Sequence, residues 1–272
     1  MSSTNSKAVS AFRRAVWTAY RTHGRHDLLW RRTRDPWRIL VSEVMLQQTQ
    51  VERVIPFYTR FVKRFPTAGA LARVQLADAL RAWQGLGYNR RAKQLHAAAK
   101  EIATHGMPRD AAALERLPGV GPYTARAVAA FAYNEDGIVL ETNIRTAVIH
   151  HFFPRRRTVS DAEIEAVLAI CLSKRRARAW YSALMDYGAR LKRFGVSHNA
   201  KSRHYAKQPA FKGSLREARG AILRALAQGS ASARHLTGLL GPARRPQLRI
   251  ALAALAAEGL VARSRGRAAL AG

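Results

Sequence analysis

Apolar residues before residue 200 recur at helical spacing, and no convincing stretch of them alternates. Val9, Phe12, Val16, Ala19 and Tyr20 predict a helix over 8–22, stopped by Gly24 and preceded by a polar tail over 1–7. Residues 25–36 (RHDLLWRRTRDP) read as a basic loop carrying Trp30. A helix over 37–49 follows, with Ile39, Leu40, Val44 and Leu46 as its apolar face. The same periodicity predicts helices over 51–65, 76–83, 90–105, 143–153 and 178–192. Pro66 ends the first of these, and Gly85-Leu86-Gly87 ends the second. Ser160-Asp161-Ala162-Glu163 fits a capping box opening a further helix to Leu172. The class is therefore all-α, with one domain over 1–192.

Periodicity fails and polarity rises over 193–213, which reads as a basic linker. Residues 214–228, 233–240 and 246–258 then predict three helices. Two short apolar runs flank Ser264-Arg265-Gly266 and suit a hairpin. Three helices and a hairpin fit a winged-helix-like domain over 214–272; a plain three-helix appendage is the alternative.

The most informative stretch is 114–143, LERLPGVGPYTARAVAAFAYNEDGIVLETN. Leu117-Pro118-Gly119-Val120-Gly121 reads as a tight turn between two helices, with Pro122 at a favoured first helical position. The first amides of the second helix, around Tyr123 and Thr124, form an anion-friendly terminus. Alone, the turn fits an ordinary αα connection equally well.

Charge changes the picture. Lys and Arg number 47 against 17 acids, a net charge of +30, which points to a polyanionic partner and first to nucleic acid. No apolar run reaches the ~18 residues of a membrane span, and MSSTNSKAVSAF lacks a signal-peptide core. The single cysteine, Cys171, excludes an internal disulfide and an all-cysteine metal site. The expectation is a cytoplasmic, nucleoid-associated protein without a metal. Within the helix over 37–49, Glu43 is one acid among apolar and amide residues, where desolvation favours its neutral form.

Three blocks, DPWRILVSEVMLQQTQV (35–51), LRAWQGLGYNRRAKQL (80–95) and LPGVGPYTARAV…VLETN (117–143), together resemble the helix-hairpin-helix DNA glycosylases, and among them the MutY-like adenine DNA glycosylases. The resemblance spans about 28–192. It implies a two-lobed helical fold that grips double-stranded DNA and flips a nucleotide out of the stack. Under it, Glu43 protonates the leaving base, and Glu141, where the family carries aspartate, stabilises the cationic sugar. Asn143 and Tyr123 lie near them. Tyr123 stands where bifunctional relatives carry the Schiff-base lysine, which implies base removal without strand cutting. Leu117, Gly119, Val120 and Gly121, with Thr124, hold a phosphate. Gln48 wedges into the duplex, and Leu86 and Tyr88 insert at the opposite base. Trp30 and Arg31 rim the base pocket. Ser182 replaces a glutamine that reads adenine, and Asp186 holds a later acidic position.

The family's four iron–sulfur cysteines are missing, which implies no cofactor. Lys192, Arg193, Lys201, Arg203 and Lys207 then stand as candidates for the contacts that loop would make with DNA. The family's 8-oxoguanine-sensing domain is missing too. The expected activity is that of a monomeric glycosylase acting on adenine opposite 8-oxoguanine or guanine. Removal of uracil or thymine from G mismatches, of hypoxanthine or of another modified base stays open, as does a non-catalytic DNA-binding role.

Overall fold

The computed structural model describes residues 3–196, 198, 201 and 210–272; Arg203 and Lys207 lie outside the described residues. The first described element is α1 (Ser3–His23), so the expected tail is helical from Ser3 on, and the basic loop after it holds a 3-10 turn at Leu29–Arg31. Next come α2 (Pro36–Leu46), α3 (Val51–Arg64), α4 (Ala68–Ala72), α5 (Leu76–Trp83) and α6 (Arg90–His105). Helices α7 (Ala111–Glu115) and α8 (Pro122–Tyr133) flank the glycine turn. They are followed by α9 (Thr142–Phe152), α10 (Asp161–Cys171) and α11 (Ala177–Arg193). The C-terminal part runs α12 (Leu215–Ala227), β1 (Ala231–Ser232), α13 (Ala233–Gly238), α14 (Arg245–Ala257), β2 (Val261–Ser264) and β3 (Arg267–Leu270).

Two departures from the sequence reading concern α2 and the C-terminal sheet. Helix α2 stops at Leu46 rather than at 49, because Gln48 takes a left-handed backbone (φ 54°) and cannot continue the helix. Strand β1 is two residues long, too short for any alternation to register. It nonetheless pairs antiparallel with β3, which also pairs with β2, giving the order β1-β3-β2. Helix, strand, two helices and a hairpin closed by a three-stranded sheet make the C-terminal part winged-helix-like.

The described residues fall into two compact units. One is drawn from Met1–Ile39, Arg109–Arg116 and Val120–Lys207, the other from Leu40–Pro108, Leu117–Gly119 and Gln208–Gly272. In the first, α1, α9, α10 and α11 close over Phe12, Val16, Ile144, Val148, Leu168 and Trp180. Phe12 meets Trp180 edge-on, the arrangement that aligns a ring's positive rim with the partner's negative face. The expected capping box is present: Ser160 Oγ accepts from Glu163 N, and Glu163 Oε2 accepts from Ser160 N. In the second unit, Tyr58, Phe61, Leu71, Trp83 and Leu95 are buried. The C-terminal part packs there against α5 and α6. Lys93 Nζ donates to Glu258 O at 2.6 Å, and α5 touches both α12 and β3.

The first unit contains a pH-sensitive contact. His151 Nε2 lies 2.7 Å from the Tyr187 hydroxyl, its ring packs beside Phe12, and His150 is adjacent. Burial, reinforced by His150, pulls the imidazole down to about 4. A depressed base binds fewer protons folded than unfolded, so its contribution is complete above the ordinary value of 6.5 and is lost as pH falls from there toward about 4. The melting temperature should therefore drop between neutral and mildly acidic pH, and His151→Gln should flatten that drop. Parallel melting curves across the range would refute the assignment.

Candidate active site

Glu43 lies on α2 and is 5% exposed, as a carboxyl in an apolar helix face must be. Five residues on, Gln48 is exposed and left-handed. A non-glycine residue adopts that backbone at a cost of order 1 kcal/mol, which its surroundings must offset. The offset comes from Arg91 on α6. Its buried guanidinium donates to Val44 O (2.8 Å), Met45 O (2.9 Å) and Gln47 O (2.6 Å), carbonyls at and just beyond the end of α2. It also donates to Thr49 Oγ1 (3.2 Å) and Gly87 O (3.2 Å). The rings of Trp83 and Tyr88 lie within cation–π range at 5.5 and 5.2 Å. Burial pulls this guanidinium down to about 10, with Tyr88 opposing. Arg91 thus holds two loops at once, the one presenting Gln48 and the one containing Leu86 and Tyr88.

In that second loop, Gly85, Gly87 and Tyr88 all have positive φ (96°, 83° and 49°). Of the two residues expected at the opposite base, Tyr88 is half-exposed and its hydroxyl meets Arg216 Nη1 at 3.2 Å. Leu86 is 3% exposed, so in this arrangement it packs inward instead of projecting. A leucine between two glycines turns into the core because burial of its side chain stabilises by roughly 2 kcal/mol.

The glycine turn between α7 and α8 has the expected form. Asp110 caps α7 by accepting from Ala113 N at 2.7 Å. Leu117 and Val120 are buried, while Gly119 and Gly121 are exposed. Gly119 combines φ 76° with a close approach, since a Cβ there would sit 2.5 Å from Gln94 Cβ. Gly121 is the N-cap of α8 and supplies no capping side chain, and Pro122 opens the helix. Tyr123 packs partly against the first unit's core, and Thr124 is buried.

Glu141 caps α9. Its Oε1 accepts from Asn143 N (2.9 Å) and Ile144 N (2.8 Å), so two free amides of the first turn find a side-chain partner. Its Oε2 accepts from Asn143 Nδ2 at 3.1 Å, and Asn143 Oδ1 in turn accepts from Lys192 Nζ at 2.8 Å. Lys192, expected among the DNA contacts, is therefore engaged inside the unit. Burial pulls its ammonium below the ordinary range, and the Glu141 charge partly restores it. The backbone of Asn143 is also held from behind. A Cβ on Gly188 of α11 would lie 1.9 Å from Asn143 O. Gly188→Ala should accordingly push α9 away at a cost of about 1–3 kcal/mol. We expect a lower melting temperature and a slower reaction together; a variant unchanged in both would show that α9 is not held by this contact.

Arg31, Ser182 and Asp186 are brought together in the first unit, with Trp30 beside Arg31 in the 3-10 turn. Asp186 accepts from Arg25 N (2.9 Å), Arg25 Nε (2.7 Å), Arg31 Nη2 (3.0 Å) and Arg31 Nη1. Burial raises this carboxyl, but the two arginines outweigh it and hold it below its usual range. Arg31 Nη2 also reaches Ser182 O at 3.4 Å, and Trp30 and Ser182 are buried. The cluster fastens the 25–31 loop to α11. Arg91 and Gly188 were not singled out from sequence. For Arg91 a signal existed: it shares the buried face of α6 with Leu95, Ala98 and Ile102, a face where an arginine is out of place.

Residues 41–171 match the family described as HhH-GPD superfamily base excision DNA repair protein. The chain is 45% identical over 172 residues to the adenine DNA glycosylase of Mycolicibacterium smegmatis, covering 61% of this chain and 59% of that protein. It is 39% identical over 148 residues to the adenine DNA glycosylase of Homo sapiens, covering 50% and 27% respectively. It therefore spans about three fifths of the first relative's length and about a quarter of the second's. Among solved structures, a thermostable thymine-DNA glycosylase superposes with a TM-score of 0.60 at 25% identity, covering 69% of this chain and 88% of that one. An endonuclease III–DNA complex gives 0.57 at 20% identity, covering 68% and 85%, a likeness of fold.

Proposed function

We propose, from the match of residues 41–171 to the HhH-GPD superfamily of base excision DNA repair proteins, that this chain belongs to that family and is a monofunctional DNA glycosylase. Its substrate is adenine opposite 8-oxoguanine or guanine in double-stranded DNA. The observation that carries the reading is Glu43, an ionisable side chain 5% exposed on a largely apolar helix. Burial is what a carboxyl needs to keep a proton near neutral pH and pass it to a leaving base. The 45% identity to an adenine DNA glycosylase supports the choice of base.

In this reaction the target nucleotide leaves the stack, because a buried carboxyl cannot reach a base inside the duplex. Glu43 gives its proton to a ring nitrogen of adenine as the C1′–N bond breaks and the bonding electrons leave with the base. Positive charge develops on the sugar, and the Glu141 carboxylate stabilises it. Water adds at C1′ and releases a proton, leaving an abasic site. Asn143, bridging Lys192 and Glu141, orients that carboxylate. Gln48 and Tyr88 enter the duplex, the turn 117–121 holds a phosphate, and Trp30, Arg31, Ser182 and Asp186 border the base. With tyrosine at 123, α8 offers no amine there for a Schiff base.

A cysteine-ligated iron–sulfur cluster does not fit this donor set. The chain has one cysteine, Cys171, buried in α10 with its thiol pushed up to about 11 by burial. No step of the reaction is routed through such a cluster. Ser182 favours a second reading, removal of a different base, because its short side chain leaves the purine edge without an amide partner.

Incubation with duplexes carrying each mispair or lesion, followed by alkali, tests the proposal. Breaks at adenine opposite 8-oxoguanine or guanine, with no borohydride-trapped adduct, are expected. Breaks only at uracil or hypoxanthine would support the second reading, and breaks on no duplex would leave a DNA-binding protein.

A further inference from the structure

Residues 214–272, outside the segment that matches the family, hold ten arginines, no lysine and only two acids, Glu217 and Glu258. Both acids are already paired. Glu217 accepts from Arg244, and Glu258 accepts from Arg219 through both oxygens at 2.9 and 2.6 Å. Neither acid neutralises the face formed by α13, α14 and the β2–β3 hairpin.

On that face a concavity of about 470 Å³ is lined by Arg234 of α13, Arg245 and Arg249 of α14, and Arg263 of β2. A second hollow of about 290 Å³ shares Arg263 and continues along the hairpin to Arg265. Among the described residues, no carboxylate lines either hollow, and the arginines are exposed. Ile250, the neighbour of Arg249, is 60% exposed on the same helix.

The chemistry selects the partner. Arginine forks match phosphate oxygens in pairs, and a row of them spread over two helices and a hairpin suits an extended polyanion better than one small anion. Two helices joined through Gly241 (φ 85°) and a 3-10 turn at Pro242–Arg244 can place the second, α14, in a major groove while the hairpin lies against the adjoining backbone. B-form DNA has a major groove wide enough for a helix, and A-form RNA does not.

We propose that this face is a second binding surface for duplex DNA, separate from the residues assigned to base excision. It stands on the C-terminal part alone and does not depend on the glycosylase reading. Binding of the full chain to a lesion-free DNA duplex, followed by fluorescence anisotropy across a salt series, tests it. Combining Arg245→Ala, Arg249→Ala and Arg263→Ala should weaken binding about tenfold or more and make the log–log salt slope shallower by about two to three, one for each lost phosphate contact. The matching triple lysine variant should keep most of the slope. These side chains are exposed, so the thermal melt should not move. As an independent measure on the unaltered protein, added duplex should slow amide exchange in α14 and the hairpin. Unchanged affinity and slope, tighter binding to A-form RNA than to DNA, or no exchange protection would each overturn the proposal. Excision measured in single turnover at saturating enzyme should be unaffected by the alanine variants. Failure of the glycosylase reading would instead appear as no excision with the salt-dependent loss intact.

Discussion

Glu43→Gln should lower base excision by about 10²–10⁴-fold, the range for losing a positioned general acid, while leaving duplex binding in place. Glutamine is nearly isosteric and neutral, so it fits the same buried position on α2 and removes only the transferable proton. Single-turnover kinetics on an adenine-containing duplex, paired with an equilibrium binding measurement, separates the two effects. A variant that retains the wild-type rate would remove Glu43 from its assigned role. A variant that loses binding and rate equally would make it a packing residue.

The second large effect is expected at Arg91. Arg91→Met keeps most of the apolar stem and deletes the guanidinium, leaving the carbonyls of Val44, Met45, Gln47 and Gly87 without that donor. Each buried acceptor left unsatisfied costs about 1–3 kcal/mol, although partial relaxation and water entry make the sum smaller than four separate losses. A net loss of about 3 kcal/mol corresponds to roughly 10 °C in melting temperature for a chain of this size. Gln48 should also leave its left-handed backbone once its neighbours are released, so excision should fall more than the loss of folded protein explains. Arg91→Lys, which keeps a charge but cannot reach all the acceptors, should lie between the two. Full activity of Arg91→Met at a temperature where it is folded would show that the loops hold their positions without it.

Most helices were legible because amphipathic periodicity is a local property: the bounds of α5 and α6 read directly from spacing. The capping box at Ser160 and the hairpin at 261–270 were legible for the same reason. Features set by distant partners were not. The early end of α2 depends on an arginine more than forty residues away, and the inward turn of Leu86 depends on its packing in the folded unit. Within the candidate site, Glu43, Glu141 and the glycine turn stood out by residue type and spacing. The link from Lys192 through Asn143 to Glu141 could not be read, because it joins residues 49 positions apart. Asp186 was legible as an acid in a distinctive place, but the two arginines that enclose it come from a loop 155 and 161 positions earlier.

The cap at α9 has a consequence for how variants of Glu141 must be read. Its carboxylate closes the first turn of a helix, and under the proposed reaction it also places charge near the reacting sugar. Alanine at this position abolishes both, costing about 0.5–2 kcal/mol in helix-end stability along with any chemistry, so a dead Glu141→Ala enzyme is uninformative. Glutamine is the separation-of-function variant: its amide oxygen can still accept from Asn143 N and Ile144 N, yet it brings no charge. Aspartate, one methylene shorter, asks whether a shorter reach can satisfy the helix as well.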